Sequence, residues 1–473
     1  MVSLTKNRKG DYVNNLITVE EALEKSINDI KRQHDDYLNP AFRKMLSLLS
    51  FDKKFVEAKG VKVWDESGIE YLDFLGGYGS LNLGHNPPEV FEAINMVKKK
   101  PNLLQASMGV LNASLGENLA SITPGKLQHS YFCNSGAEAV EAAIKIARKS
   151  TGKQTIISTQ GSFHGKTMGA LSVSGREKYK QPFSPMLLKS KQVPFGDIEA
   201  LRDEIDDDIA AIILEPIQGE GGIVEPTSNY LKEVRNICSQ NNVLLIIDEI
   251  QTGLGRTGRL FGCEWEEVVP DIICLAKSLG GGVVPIGAMV TTSEVWNNAY
   301  GKIDEALLHT STFGGNTVAC AASIASINQI VKQKLDHQAR KKGELLKEGL
   351  KKLQSKYSLI KDVRGKGLLV GVEFTSPEEG FLNKVSQGMI SKLSKEYIGA
   401  FVAEKLQNDY NIITAYTLNN PNVIRLEPPL IVNEQEIEYV LESLDQLLDS
   451  YSDFYRLAFS SGKKAVSSIL KRS

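Results

Sequence analysis

The sequence predicts an α/β protein with a doubly wound, mostly parallel sheet in a large domain and a smaller α+β domain after it. Three observations carry this expectation. Short Ile/Leu/Val runs bounded by Gly and Pro recur without polar alternation, as in strands buried on both faces. From about residue 78 to 330 these runs alternate with segments of helical spacing. After about 330 a Lys-rich helix and isolated strands replace that rhythm. The 473 residues exceed what one ordinary core holds. We therefore expect an N-terminal arm and opening hairpin over 1–77, a large domain over 78–330, and a small domain over 331–473 with an insertion at 376–411.

In chain order, apolar residues fall at helical spacing in Ile17–Ile30, and Ala41–Leu49 continues the pattern. The stretch VKVWDESGIEYLDFLGG (61–77) alternates as strands around a turn at Asp65–Gly68, an opening hairpin without chemistry of its own. Strands are expected at Ser130–Cys133, Thr155–Thr159, Ile209–Leu214, Leu244–Asp248, Ile272–Ala276 and Ala288–Thr291. Helices are expected between them, Glu138–Lys149 and Tyr230–Gln240 among them. A helix at Gln333–Tyr357, a strand at Gly367–Phe374, a polar insertion and a strand at Val423–Leu426 follow, and helices close the chain. The tail Leu457–Ser473 reads as a solvated amphipathic end, with no internal repeat or low-complexity tract before it.

Composition narrows the function classes. With 55 basic and 57 acidic residues the formal charge is −2, which gives no support to a nucleic-acid or polyanion surface. The cysteines (Cys133, Cys238, Cys263, Cys274, Cys320) form no CxxC pair, sit in apolar contexts and are odd in number, which suits a reducing compartment. The opening MVSLTKNRKGDYVNN lacks the apolar core of a signal peptide. No apolar run approaches 18 residues, so we expect no membrane span and a cytoplasmic location. No metal site is expected.

The chemistry concentrates between Leu244 and Gly282. There LLIID ends on Asp248 and DIICLAK ends on Lys277. Ligands of open α/β sheets sit beyond the carboxyl ends of the strands, so an acid and an amine are aimed at one crevice. Pyridoxal phosphate needs that pair: a Lys to hold it as a Schiff base and an acid facing its ring nitrogen. At an effective dielectric near 20, a contact at ~4 Å is worth ~4 kcal/mol, roughly three pKa units. That holds the ring nitrogen protonated at neutral pH.

Other motifs converge on it. Asn134-Ser135-Gly136-Ala137-Glu138 opens a helix after a strand, and the free N–H groups of such an end bind phosphate. In Gly161-Ser162-Phe163-His164-Gly165 an aromatic ring can wall a flat cofactor, with His164 as a hydrogen-bonded support. Glu215-Pro216-Ile217-Gln218-Gly219-Glu220 reads as a substrate loop or as a plain turn with solvated acids. Gln251 reads as a donor to the cofactor or as a surface amide. Thr310-Ser311-Thr312 can bind phosphate or cap a helix. Arg425 is a cation within an apolar strand and needs an anion, an internal Glu or a substrate carboxylate.

Together the stretches CNSGAEAVEAAIKIAR, FHGKTMGALSVSG, EPIQGEGG, DEIQTGLGRTG, LAKSLGGGVVPIGA and STFGGN resemble the class III (ornithine-type, subgroup II) aminotransferases. These are pyridoxal 5'-phosphate enzymes of fold type I. The likeness runs over about residues 50–375 and resumes at 412–445. Within the family LGGYGSLNLGH, TPGKLQHSYFCNSG, VPFGDIEAL and TLNNPNVIRLEPPL are most similar to the putrescine aminotransferases. The resemblance implies a seven-stranded, mostly parallel sheet, with Lys277 as the Schiff-base lysine and proton shuttle. By the same likeness Asp248 faces the ring nitrogen, Gln251 the ring oxygen, and Phe163 stacks on the ring beside His164. Ser135, Gly136 and Ala137 would hold the phosphate, and Thr312 would complete the phosphate site of the neighbouring subunit in a homodimer or dimer of dimers. Arg425 would bind the carboxylate of 2-oxoglutarate or glutamate, Glu220 would neutralise it when an amine donor enters, and Glu215 would support the site.

The implied reaction moves a terminal amino group from a putrescine-like diamine to 2-oxoglutarate, giving an aminoaldehyde and glutamate. The alternative is an ω-amino-acid transaminase acting on ornithine, acetylornithine, 4-aminobutyrate or lysine. A mutase or decarboxylase, and then a non-catalytic cofactor-binding protein, stand further off. Two departures from the family are visible: Ala137 where Thr is frequent, and the length of 376–411.

Overall fold

A computed structural model describes residues 16–104, 106–375 and 389–451, for 389–397 the backbone alone. The N-terminal fifteen residues, the first part of the expected insertion (376–388) and the basic tail lie outside the described residues. The chain divides into two compact units, Met1–Lys54 and Phe55–Ser473.

In the first unit three short helices run Val19–Leu23, Ile27–Tyr37 and Pro40–Leu48. Each begins on a side chain that accepts a backbone N–H: Thr18, Ser26 and Asn39. Arg43 meets Asp35 at 2.7 Å, and Lys31 meets Asp52 at 2.6 Å.

The second unit opens with three strands, β1 (Phe55–Lys59), β2 (Lys62–Asp65) and β3 (Glu70–Asp73). The β2–β3 hairpin was legible in the alternation of 61–77, but β1 was not. The large sheet contains β4 (Leu127–Cys133), β5 (Thr155–Thr159), β6 (Ser190–Val193), β7 (Ile209–Leu214), β8 (Leu244–Asp248), β9 (Ile272–Leu275) and β10 (Gly287–Thr292), in the order β4-β10-β9-β8-β7-β5-β6. Neighbours from β9 to β6 pair in parallel, and β10 runs antiparallel to both β9 and β4.

Burial on both faces explains the unbroken apolar runs. In β8, Leu245 and Ile247 enter one core while Ile246 enters the other; in β9, Ile273 and Leu275 oppose Ile272 and Cys274 in the same way. Within the large sheet only β6 escaped the sequence reading. Its SKQV is an edge strand with one fully buried residue, so it has no apolar run to betray it.

The remaining strands are β11 (Ile360–Lys366), β12 (Leu369–Phe374), β13 (Ile412–Ile413), β14 (Ala415–Tyr416) and β15 (Val423–Leu426). An antiparallel sheet is ordered β11-β12-β15-β14, whereas β13 leaves it and pairs in parallel with β3. Two expectations need correction. The strand expected from Gly367 begins at Leu369, because Gly367 turns at φ +56° between β11 and β12. The insertion is not simply polar: helix Met389–Tyr410 buries Ile398, Phe401, Val402 and Leu406 in the core.

Candidate active site

Side chains from the carboxyl ends of β4, β5, β7, β8 and β9 converge on a cavity of about 490 Å³. Ser135, Gly136, Ala137, Phe163, His164, Glu215, Glu220, Asp248, Gln251 and Lys277 all line it. Arg425 joins through Glu220. Thr312 does not: it is exposed and lines a separate hollow of about 950 Å³ with residues 100–104, 107–112 and 130–132.

Each position follows from its local fold. Ser135 accepts the N–H of Glu138 at 3.2 Å and starts helix Gly136–Thr151, whose first N–H groups are left toward the cavity. Asn134 is pinned in turn, its backbone N–H and side-chain amide donating to Glu138 Oε2 at 2.6 and 3.0 Å. Such an end, at the positive pole of the helix, suits a phosphate.

Asp248 ends β8 with 3% of its surface exposed. One oxygen accepts the N–H of Ile250 at 3.1 Å, and the other lies 2.7 Å from Nδ1 of the buried His164. Burial disfavours a charged His164, but the hydrogen bond and charge of Asp248 outweigh it and raise its pKa above the usual histidine value. His164 Nε2 is buried without a hydrogen-bond partner among the described residues. Nearby, Glu215 accepts the N–H groups of Phe163 at 3.1 Å and Gly219 at 3.2 Å. Burial pushes its carboxyl up to about 7, with Asp248 adding to the rise and His164 opposing it.

Lys277 stands two residues past β9 at φ +46°, a backbone conformation that costs a side-chain-bearing residue roughly 1–2 kcal/mol. Burial lowers its pKa, while the charges of Glu427 and Glu220 resist that fall. Among the described residues its side-chain nitrogen makes no hydrogen bond.

An ionic cluster closes one side. Arg425 is fully buried on β15, with Nη2 2.6 Å from Glu220 Oε2 and Nη1 3.8 Å from Glu427 Oε2. Its guanidinium lies 5.2 Å from the Tyr78 ring centre. The Glu220 carboxyl is held below the usual value because Arg425 overcomes the effect of burial. Gln251 donates to both oxygens of Glu427 at 2.9 and 3.0 Å, so its amide N–H groups face this cluster. The loop 76–80 fits against it: Gly79, at φ +80°, leaves no room for a Cβ, which would fall 2.3 Å from Glu427 Oε1.

Sequence reasoning missed Tyr78 and Glu427. Glu427 carried a signal, since it lies two residues past Arg425 and so on the same face of the extended chain. Tyr78 follows the hairpin read as chemically inert, and its place depends on the left-handed turn at residues 76–79.

The cavity meets the needs of pyridoxal phosphate on several counts: a helix end for the phosphate, a buried acid, an amine without a partner, and an aromatic wall at Phe163. Known proteins agree. Residues 50–448 match the family aminotransferase class-III. An ornithine aminotransferase from Toxoplasma gondii ME49 is 31% identical over 90% of this chain and 96% of its own, with a TM-score of 0.79. An acetylornithine aminotransferase from Elizabethkingia anophelis is 29% identical over 85% of this chain and 94% of its own, with a TM-score of 0.68. An amine transaminase from an uncultivated Pseudomonas species, in a PLP-bound form, is 26% identical over 83% and 94%, with a TM-score of 0.74. A match over most of the chain, on a fold whose parallel strands deliver an acid and a lysine to one cavity, shows that this protein belongs to the class III aminotransferases and is a pyridoxal-phosphate-dependent enzyme.

Proposed function

We propose that the enzyme moves the terminal amino group of a putrescine-like diamine to 2-oxoglutarate, releasing an aminoaldehyde and glutamate. One observation carries this reading: Arg425 is buried behind the cavity wall and paired, at 2.6 Å, with the wall residue Glu220. Two substrates of opposite charge must use one cavity in turn. With Glu220 in place Arg425 is masked, and a cationic donor meets no free guanidinium. With Glu220 aside, the same guanidinium takes a carboxylate through paired N–H donors.

When bound, pyridoxal phosphate supplies the carbonyl carbon that accepts the amine and the ring that takes up the electrons of the broken C–H bond. The protein does the rest. Lys277 would hold the cofactor through Nζ and move a proton at the substrate carbon, and burial lowers its pKa, which favours the neutral amine that a base requires. Asp248, steadied by His164, would face the ring nitrogen. Phe163 would wall the ring, Ser135, Gly136 and Ala137 would hold the phosphate, and Gln251 would border the ring's oxygen side. Glu215 fixes the backbone of Phe163 and of the Glu220 loop. In this reading residues 78–330 form the cofactor domain and 331–473 the small domain that brings Arg425.

We also propose that the active unit is a homodimer in which the Thr312 loop completes the phosphate site of a second copy. Its support is the exposed apolar surface around Thr312, where Met108, Val110, Leu307 and Phe313 are 97%, 78%, 81% and 60% exposed. Sedimentation showing a stable monomer with full activity would remove this proposal.

The deciding experiment for the donor is a half-reaction without oxo acid. Holoenzyme is mixed in turn with putrescine, cadaverine, ornithine, acetylornithine and 4-aminobutyrate, and the cofactor absorbance is followed. Fast conversion by the diamines alone is expected. Conversion only by carboxylated donors would replace the diamine reading with an ω-amino-acid transaminase, the reading that the ornithine and acetylornithine relatives favour.

A further inference from the structure

Arg425 has two carboxylates beside it, and they are held very differently. Glu220 lines the cavity, belongs to a glycine-rich loop, and is tethered outside the ion pair by the N–H of Leu418 at 2.8 Å. Glu427 is fully buried behind Gln251, which donates to both its oxygens, and its backbone N–H bonds Phe74 O at 2.7 Å. Two prolines follow it, and Gly79 closes over its carboxylate. The first acid borders the cavity; the second does not.

We propose that Glu427 is a specificity-determining residue, a fixed counter-charge that stays with Arg425 after Glu220 has moved and biases the cavity toward cationic donors and against carboxylated ones. The inference rests on the reading of Arg425 and Glu220 as the substrate-facing pair. Charge counting gives its direction. Closed, the trio carries one positive and two negative charges, and the excess favours the distal ammonium of a diamine. Open, Arg425 meets an incoming carboxylate as a half-neutralised cation. Nε and Nη1 of Arg425, without hydrogen-bond partners among the described residues, remain available to that carboxylate. Glu427 is not a catalytic residue in this scheme. It acts through Arg425 and through the position of Gln251.

The test is Glu427→Gln holoenzyme, which keeps the shape and an acceptor for Gln251 but removes the charge. One buried charge at about 4 Å supports at least a tenfold effect. The KM for 2-oxoglutarate is expected to fall about tenfold with kcat changed less than threefold, while the half-reaction KM for putrescine rises. Glu427→Asp keeps the charge and should retain the wild-type preference even if its rates fall. An unchanged 2-oxoglutarate KM in Glu427→Gln, or equal losses with both substrates in Gln and Asp variants, would overturn the proposal. If the wild type converts no diamine, the donor reading fails, yet the shift in oxo-acid KM still decides the role of Glu427.

Discussion

Replacing Arg425 with Ala tests the charge logic most severely. The guanidinium is fully buried between Glu220, 2.6 Å away, and Glu427, 3.8 Å away. Each charge-assisted hydrogen bond to a substrate carboxylate is worth about 1.5–3 kcal/mol, so losing a two-pronged contact should remove about 3–4 kcal/mol. That corresponds to a rise of two to three orders of magnitude in the 2-oxoglutarate KM. The diamine half-reaction should change far less, because a cationic donor does not use the guanidinium. Removal also strands two buried carboxylates, a cost of about 3–5 kcal/mol in stability. The holoenzyme melt must therefore be recorded beside the kinetics. Arg425→Lys restores the charge without the fork and should fall between the wild type and Ala. Each half-reaction is followed separately by cofactor absorbance in a stopped-flow instrument. Equal slowing of both halves in a folded, cofactor-loaded variant would refute the reasoning.

Two further predictions rest on the same geometry. Lys277→Ala should abolish turnover and the absorbance band of the lysine-linked cofactor; persistence of either excludes Lys277 from the assigned role. Glu215 makes a prediction about pH. Its folded pKa of about 7 exceeds the ordinary 4.5, so its contribution to stability is whole below pH 4.5 and is lost as pH rises through 7, by about 3 kcal/mol in all. Urea unfolding of wild type and Glu215→Gln at pH 5 and pH 8 should show the wild type losing ground to the variant at the higher pH. A constant difference would dismiss the shifted titration.

The sequence revealed what is doubly buried and concealed what is half-exposed. Strands β7, β8 and β9 stood out because both their faces enter cores, so no polar residue interrupts them, and their ends exposed Asp248 and Lys277 as anomalies. β6 carries only one fully buried residue and sits at an edge, so composition could not mark it. Arg425 was conspicuous as a charge inside an apolar strand. Glu427 was not, because a Glu before two prolines looks like the solvated end of a strand. Its burial depends on Gln251, about 176 residues earlier in the chain, and on the Gly76–Gly79 turn. Such a partnership has no local pattern.

The pairing of β13 with β3 has a consequence for how the enzyme is made. Leu72 and Phe74 donate to Asn411 and Ile413, and Phe74 accepts from Glu427, across about 340 residues of intervening chain. The hairpin that leads into Tyr78 is therefore made well before the strand that pairs with it, and its sheet stays incomplete until about 340 further residues have followed. Domains generally fold as units during synthesis, from the N-terminus onward. Here late strands secure early ones, so the Arg425 side of the cavity is completed only after β13 and β15 have been made. A chain cut off before β13 would keep Lys277 and Asp248 but lack the strand that secures the hairpin leading into Tyr78.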